Sequence, residues 1–164
     1  MNIPDPISKM KRLLIGHGAL LIFVGGAIGF GFLFFLIGKI ALWPIPGEIS
    51  YQLPGTYDGW RMAHLEGIIN GVLLWLAAAV LPLIPISTKG QSRIGYSMII
   101  IGWTFVVASL IDPLYANSRG LEFGGAMTNT IAFLLFYVGV VLVMVIMAVI
   151  AYKALRPEQT DKSS

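Results

Sequence analysis

A histidine, a glutamate and an asparagine stand close together in a strongly apolar part of the chain, in the string "RMAHLEGIING". On a helix, His64, Gly67, Asn70 and Gly71 fall within about one third of the circumference, and Glu66 lies at the edge nearest Asn70. His64 and Asn70 are about 9 Å apart along the axis, so both can border one flat ligand while the glycines let it approach the backbone. A neutral imidazole can ligate iron, and a carboxamide can hydrogen-bond a substrate oxygen without carrying charge. The pattern predicts a cofactor or substrate site on this helix.

The same residues also have purely structural interpretations. Polar side chains inside a membrane often connect helices, and the G-x-x-x-G spacing is often only a close helix contact. Glu66 lies near the end of its span within reach of Arg61, which predicts an ordinary ion pair. His17, in "GHG", is more often a packed or snorkelling side chain than a metal ligand when it stands alone near a span end.

The composition identifies the class of protein. Of the 164 residues, 57% are hydrophobic and 12% charged, the mean hydropathy is +0.82, and the apolar runs are long enough to cross a bilayer. We therefore expect an integral membrane protein. The absence of cysteine excludes disulfides and thiolate chemistry and leaves His17 and His64 as the strong nitrogen ligands. The net charge of +3 comes from basic residues at span ends, so it indicates topology and no nucleic-acid partner.

The apolar runs predict an all-α, integral membrane four-helix bundle. The expected spans are residues 13–42, 61–84, 94–111 and 126–152, with the "WPIPG" turn closing the first and Asp112-Pro113 stopping the third. One membrane domain, residues 1–156, precedes a hydrophilic tail, residues 157–164, that we expect to be disordered.

The distribution of lysine and arginine predicts the orientation. Eight of the 11 basic residues fall on one side of the predicted spans: Lys9, Lys11, Arg12, Lys89, Arg93, Lys153, Arg156 and Lys162. Basic residues concentrate on the cytoplasmic side. We therefore expect both termini to be cytoplasmic in a multi-pass protein of the cell inner membrane.

Several strings, in chain order, resemble the styrene oxide isomerase family and its relatives, the hydroxylaminobenzene mutases. They are "GHG" in the first span, "PGTYDGWRMAHLEGIING" leading into the second, "GW" in the third and "NSRGLEFG" before the fourth. The resemblance covers nearly the whole chain. The string "AHLEG" followed by "NG" is particularly similar to the mutase branch.

The resemblance implies roles for individual residues. The epoxide isomerases are small homotrimeric membrane proteins that hold haem b between subunits, with a second-span histidine as axial ligand; the matching residue is His64. The asparagine that places the substrate matches Asn70. An aspartate and a tyrosine of the family's active site fall on Ile101 and Ser109. This departure predicts that aryl epoxides are not the best substrate.

The sequence therefore predicts a membrane mutase that rearranges an arylhydroxylamine to a 2-aminophenol, with haem iron as Lewis acid. In this interpretation His64 ligates the iron, Asn70 orients the substrate, and Gly67 and Gly71 border the cofactor. The expected partners are a small aromatic substrate, the lipid bilayer and further copies of the chain, a trimer by resemblance.

Three alternatives stay open. In the first, the chain is an aryl epoxide isomerase. In the second, it is a small proton-coupled exporter that uses Glu66, and in the third, an electron carrier whose haem is held by both His17 and His64.

Overall fold

Four long helices make up most of the computed structural model, which describes residues 6–156. They are α1 (Pro6–Ile37), α2 (Tyr57–Val80), α3 (Thr88–Leu114) and α4 (Met127–Leu155). All four are long and apolar enough to cross a membrane, which confirms the predicted all-α, four-span fold. The predicted disordered tail lies outside the described residues. An even number of spans puts the start of α1 and the end of α4 on one side of the membrane, and the identity of that side stays a prediction.

The ends of the helices differ from the predicted spans. The first helix ends at Ile37, where Gly38 adopts a φ of +69°, and not at the "WPIPG" turn. The chain then forms a short antiparallel hairpin, β1 (Lys39–Ile40) with β2 (Ile49–Ser50), which the apolar run concealed. The third helix continues past Asp112 to Leu114, so Pro113 lies in its last turn.

The start of α2 is fixed by side-chain hydrogen bonds. The Thr56 hydroxyl caps the helix by accepting from the Gly59 amide at 3.1 Å. The Trp60 indole donates to the Pro54 carbonyl at 2.8 Å. Since His64 lies about two turns further along, these contacts also set its depth.

The helices α1 and α2 touch backbone to backbone. A Cβ atom added to Gly67 would lie 2.5 Å from the Cα of Gly25, and one added to Gly71 would lie 2.6 Å from the carbonyl oxygen of Gly18. The helix α3 packs against both α1 and α2, and α4 packs mainly against α3. Much of the outward surface is apolar, as on Phe23, and this is the surface expected of side chains that face lipid.

Candidate active site

The ring of His64 is held in one tautomer by α1. Its Nδ1 lies 2.8 Å from the carbonyl oxygen of Gly25, and a carbonyl only accepts hydrogen bonds, so Nδ1 carries the hydrogen. In the neutral imidazole the other nitrogen, Nε2, then has a free lone pair. Gly29 makes room for the ring, since a Cβ there would lie 2.8 Å from Nδ1. A half-buried histidine whose second nitrogen donates to a backbone carbonyl has the arrangement usual for metal-ligating histidines.

His17 has the opposite tautomer. The indole Nε1 of Trp103, which is only a donor, lies 3.1 Å from His17 Nδ1, so Nδ1 accepts and the neutral ring carries its hydrogen on Nε2. His17 also precedes Gly25, the residue that contacts His64, by eight positions on α1, or about 12 Å of helical rise. These two observations argue against an iron held by both His17 and His64.

The structure places Gly67 and Gly71 in the contact between α1 and α2. We expected them to border a flat ligand, but their open side is filled by Gly25, Gly18 and Ile22 of α1. The arc of α2 between His64 and Asn70 is therefore a helix–helix contact. The two glycines serve this packing, and their role at the border of a cofactor stays a prediction.

The side chain of Asn70 is hydrogen-bonded to Glu66, one turn earlier on α2. Its Nδ2 lies 2.9 Å from the Glu66 backbone oxygen and 2.6 Å from Glu66 Oε2. Asn70 also lies against α3, where a Cβ added to Gly102 would lie 3.6 Å from the Asn70 Cβ. The residue is only 5% exposed. Asn70 is therefore fixed between α2 and α3, whereas His64 is fixed against α1.

The predicted ion pair between Glu66 and Arg61 is not formed among the described residues. The Glu66 carboxylate accepts from Asn70, and the ion pair near this end of α2 joins Arg119 to Asp112 at 3.8 Å. Glu66 nevertheless shares a groove of about 380 Å³ with Arg61. The other residues that line it are Asp58, Met62, Leu65, Ile69 and Arg119.

Two buried residues of α3 occupy the positions where the resemblance places a carboxylate and a phenol. Ile101 is 5% exposed, and Ser109 is 1% exposed and donates its hydroxyl to the Val106 carbonyl at 3.1 Å. Because this hydroxyl is satisfied within its own helix, Ser109 does not offer a free donor.

Two contacts that shape this region were not predicted from the sequence. The first is the hydrogen bond from Trp103 to His17, which joins residues 86 positions apart and leaves no local signal. The second is the bond from Asn70 to Glu66. Their spacing of four residues places both side chains on neighbouring turns of one helix, so this pair could have been predicted.

Comparison with known proteins identifies the family. A family model described as styrene oxide isomerase matches residues 10–155. A styrene-oxide isomerase from Pseudomonas fluorescens is 33% identical in an alignment that covers 96% of this chain and 95% of the relative. The match extends over all four helices and includes the second span, with His64 and Asn70. The chain belongs to the styrene oxide isomerase family.

Proposed function

We propose that this multi-pass membrane isomerase converts an aryl epoxide, with styrene oxide as the type substrate, into the isomeric aldehyde. The relative named for that substrate is similar along nearly the full length of the chain. The observation that carries the proposal is the fixed tautomer of His64, which leaves Nε2 free to bind a Lewis-acidic centre inside an apolar helix pair. An exporter that uses Glu66 has no support in a family of isomerases.

The proposed reaction moves atoms only within the substrate. The bond between the benzylic carbon and the epoxide oxygen breaks, a hydride moves from the terminal carbon to the benzylic carbon, and the remaining C–O bond becomes the aldehyde C=O. Nothing is added and nothing leaves. Water would divert the benzylic cation to a diol, so an apolar site between membrane helices favours the isomerisation.

We propose haem b as the cofactor, held by His64. The residues present fit this group, because His64 would offer iron a neutral imidazole nitrogen while its other nitrogen is hydrogen-bonded to a backbone carbonyl. When bound, the ferric iron supplies Lewis acidity toward the substrate oxygen. We propose that a further copy covers the open side of His64, which is half-buried in one chain, as in the homotrimer that the resemblance implies.

The hydroxylaminobenzene mutase reaction is the second candidate. It moves a hydroxyl group from nitrogen to the ortho ring carbon, and like the epoxide reaction it begins by polarising a bond to oxygen. The observation that favours it is the pair of buried residues, Ile101 and Ser109, at the positions expected to hold a carboxylate and a phenol. A pocket without these groups has fewer polar contacts for an epoxide.

A rate comparison in one membrane preparation tests both candidates. We expect styrene oxide to be isomerised at least about tenfold faster than hydroxylaminobenzene, a difference of about 1.4 kcal/mol in barrier. Membranes with the His64→Ala variant provide the background rate. The reverse ranking would replace the epoxide proposal by the mutase, and no turnover of either substrate above background would overturn both.

A further inference from the structure

We propose that Asn70 acts on the substrate through its carbonyl oxygen, Oδ1, which faces developing positive charge, and that Glu66 is the positioning residue that holds Asn70 in this orientation. The inference rests on the proposed function. It replaces the expectation from the sequence that the Asn70 amide donates to the substrate oxygen.

The orientation of the Asn70 carboxamide follows from its two neighbours. A backbone carbonyl only accepts, so the Asn70 atom at 2.9 Å from the Glu66 carbonyl oxygen must be the nitrogen. The same nitrogen lies 2.6 Å from Glu66 Oε2. An amide turned by 180° would bring its oxygen against this carbonyl, which repels it. Both N–H groups of Asn70 are therefore used by Glu66.

The free polar atom of Asn70 is its oxygen, Oδ1. It has no hydrogen-bond partner among the residues that the structure describes. Within that same part of the chain, every fully buried side-chain nitrogen or oxygen has a partner, so Oδ1 is not completely enclosed. Asn70 can therefore present a partial negative charge to a bound molecule, but no donor, unless the contact with Glu66 is broken.

This charge suits the cationic side of the reaction. Breaking the benzylic C–O bond leaves positive charge on the benzylic carbon, and breaking the N–O bond of an arylhydroxylamine leaves positive charge on the nitrogen and ring. A fixed carbonyl dipole with its oxygen toward that charge stabilises either transition state without reorganising. The hydrogen bond from the Asn70 amide to Glu66 polarises the carboxamide and increases the negative charge on Oδ1. Glu66 thus acts through Asn70, without touching the substrate.

A series of para-substituted styrene oxides tests the inference. Electron-donating substituents stabilise the cation themselves, so the dependence of rate on the substituent measures how much stabilisation the protein supplies. We expect Asn70→Ala to lower kcat about a hundredfold for the unsubstituted substrate and to make the dependence on the substituent steeper. Glu66→Leu should steepen it in the same way, whereas Glu66→Gln, which can still accept from Asn70, should stay close to wild type.

Two further measurements separate positioning from general damage. If Glu66 acts through Asn70, the double variant Glu66→Leu/Asn70→Ala should be no slower than Asn70→Ala alone. Glu48→Leu removes an exposed carboxylate of the hairpin loop and should change neither the rate nor its dependence on the substituent. Haem content and thermal stability are measured for each variant. Should Asn70→Ala assemble poorly, Asn70→Leu gives the same decision, because it fills a similar volume without a polar oxygen and should show the same steeper dependence of rate on the substituent.

The outcomes distinguish this inference from the proposed function. The inference would be overturned if Asn70→Ala lowered all rates equally and left the dependence of rate on the substituent unchanged, or if the losses in the double variant were additive. The proposed isomerase function would be unaffected by either result. A wild-type protein that turns over neither an aryl epoxide nor an arylhydroxylamine would overturn the proposed function, and the inference with it.

Discussion

Replacing Gly67 with alanine is expected to push α1 away from α2 and to release the ring of His64. The new Cβ would lie 2.5 Å from the Gly25 Cα, whereas ordinary contact begins at 3.4 Å, so the backbones must separate by about 0.9 Å. Gly25 also supplies the oxygen that binds His64 at 2.8 Å. If the Gly25 oxygen moves away from His64 by the same amount, its distance to His64 Nδ1 increases to about 3.7 Å, which is beyond hydrogen-bonding distance.

The energetic consequence can be estimated from these contacts. Overpacking costs about 1–3 kcal/mol, and loss of the hydrogen bond costs about 1 kcal/mol more. The higher helix propensity of alanine offsets about 1 kcal/mol. The net loss of about 1–3 kcal/mol corresponds to a Tm lower by about 2–12 °C for a chain of this length.

The assay is thermal unfolding of detergent-purified protein, with haem content measured in the same samples. Gly26→Ala is the matched control, because it adds the same methyl group beside Gly25 with nothing within 4 Å. Its Tm should equal or exceed that of wild type. If Gly67→Ala were as stable as Gly26→Ala, the packing argument would be refuted. If Gly67→Ala lost haem while its Tm stayed unchanged, the result would instead support the prediction that Gly67 borders the cofactor.

Two other predictions follow from the contacts of single side chains. His64→Ala should remove the haem absorption band and the activity together. His17→Ala should retain the band, because the His17 ring accepts from the Trp103 indole and has no free lone pair on Nε2. Equal loss of haem in both variants would contradict this assignment. Asn129, which is 8% exposed, makes three hydrogen bonds to the backbone of loop 120–124. Asn129→Ala should therefore cost roughly 2–3 kcal/mol and speed proteolysis within the loop, and Thr130→Val, which removes only longer bonds, should cost less; equal cleavage rates for both variants would show that Asn129 does not anchor the loop.

The sequence by itself determined the class of fold and the number of spans. Apolar runs of about 20 residues have one stable form in a bilayer, because a helix satisfies its backbone hydrogen bonds internally. The family resemblance and the choice of His64 and Asn70 as site residues also came from local strings, and membership of that family is confirmed. The helix ends were less well determined, since hydropathy does not register a positive-φ glycine such as Gly38.

Only the tertiary structure decided what each polar group can offer to a substrate. Helical spacing placed His64, Gly67 and Asn70 on one arc, but it could not show that α1 fills the middle of that arc. The tautomer of His64 depends on a carbonyl 39 residues away, and that of His17 on an indole 86 residues away. A side chain alone does not specify which of its nitrogens or oxygens is free. That is set by the donors and acceptors that packing brings against it, and for both histidines those come from other helices.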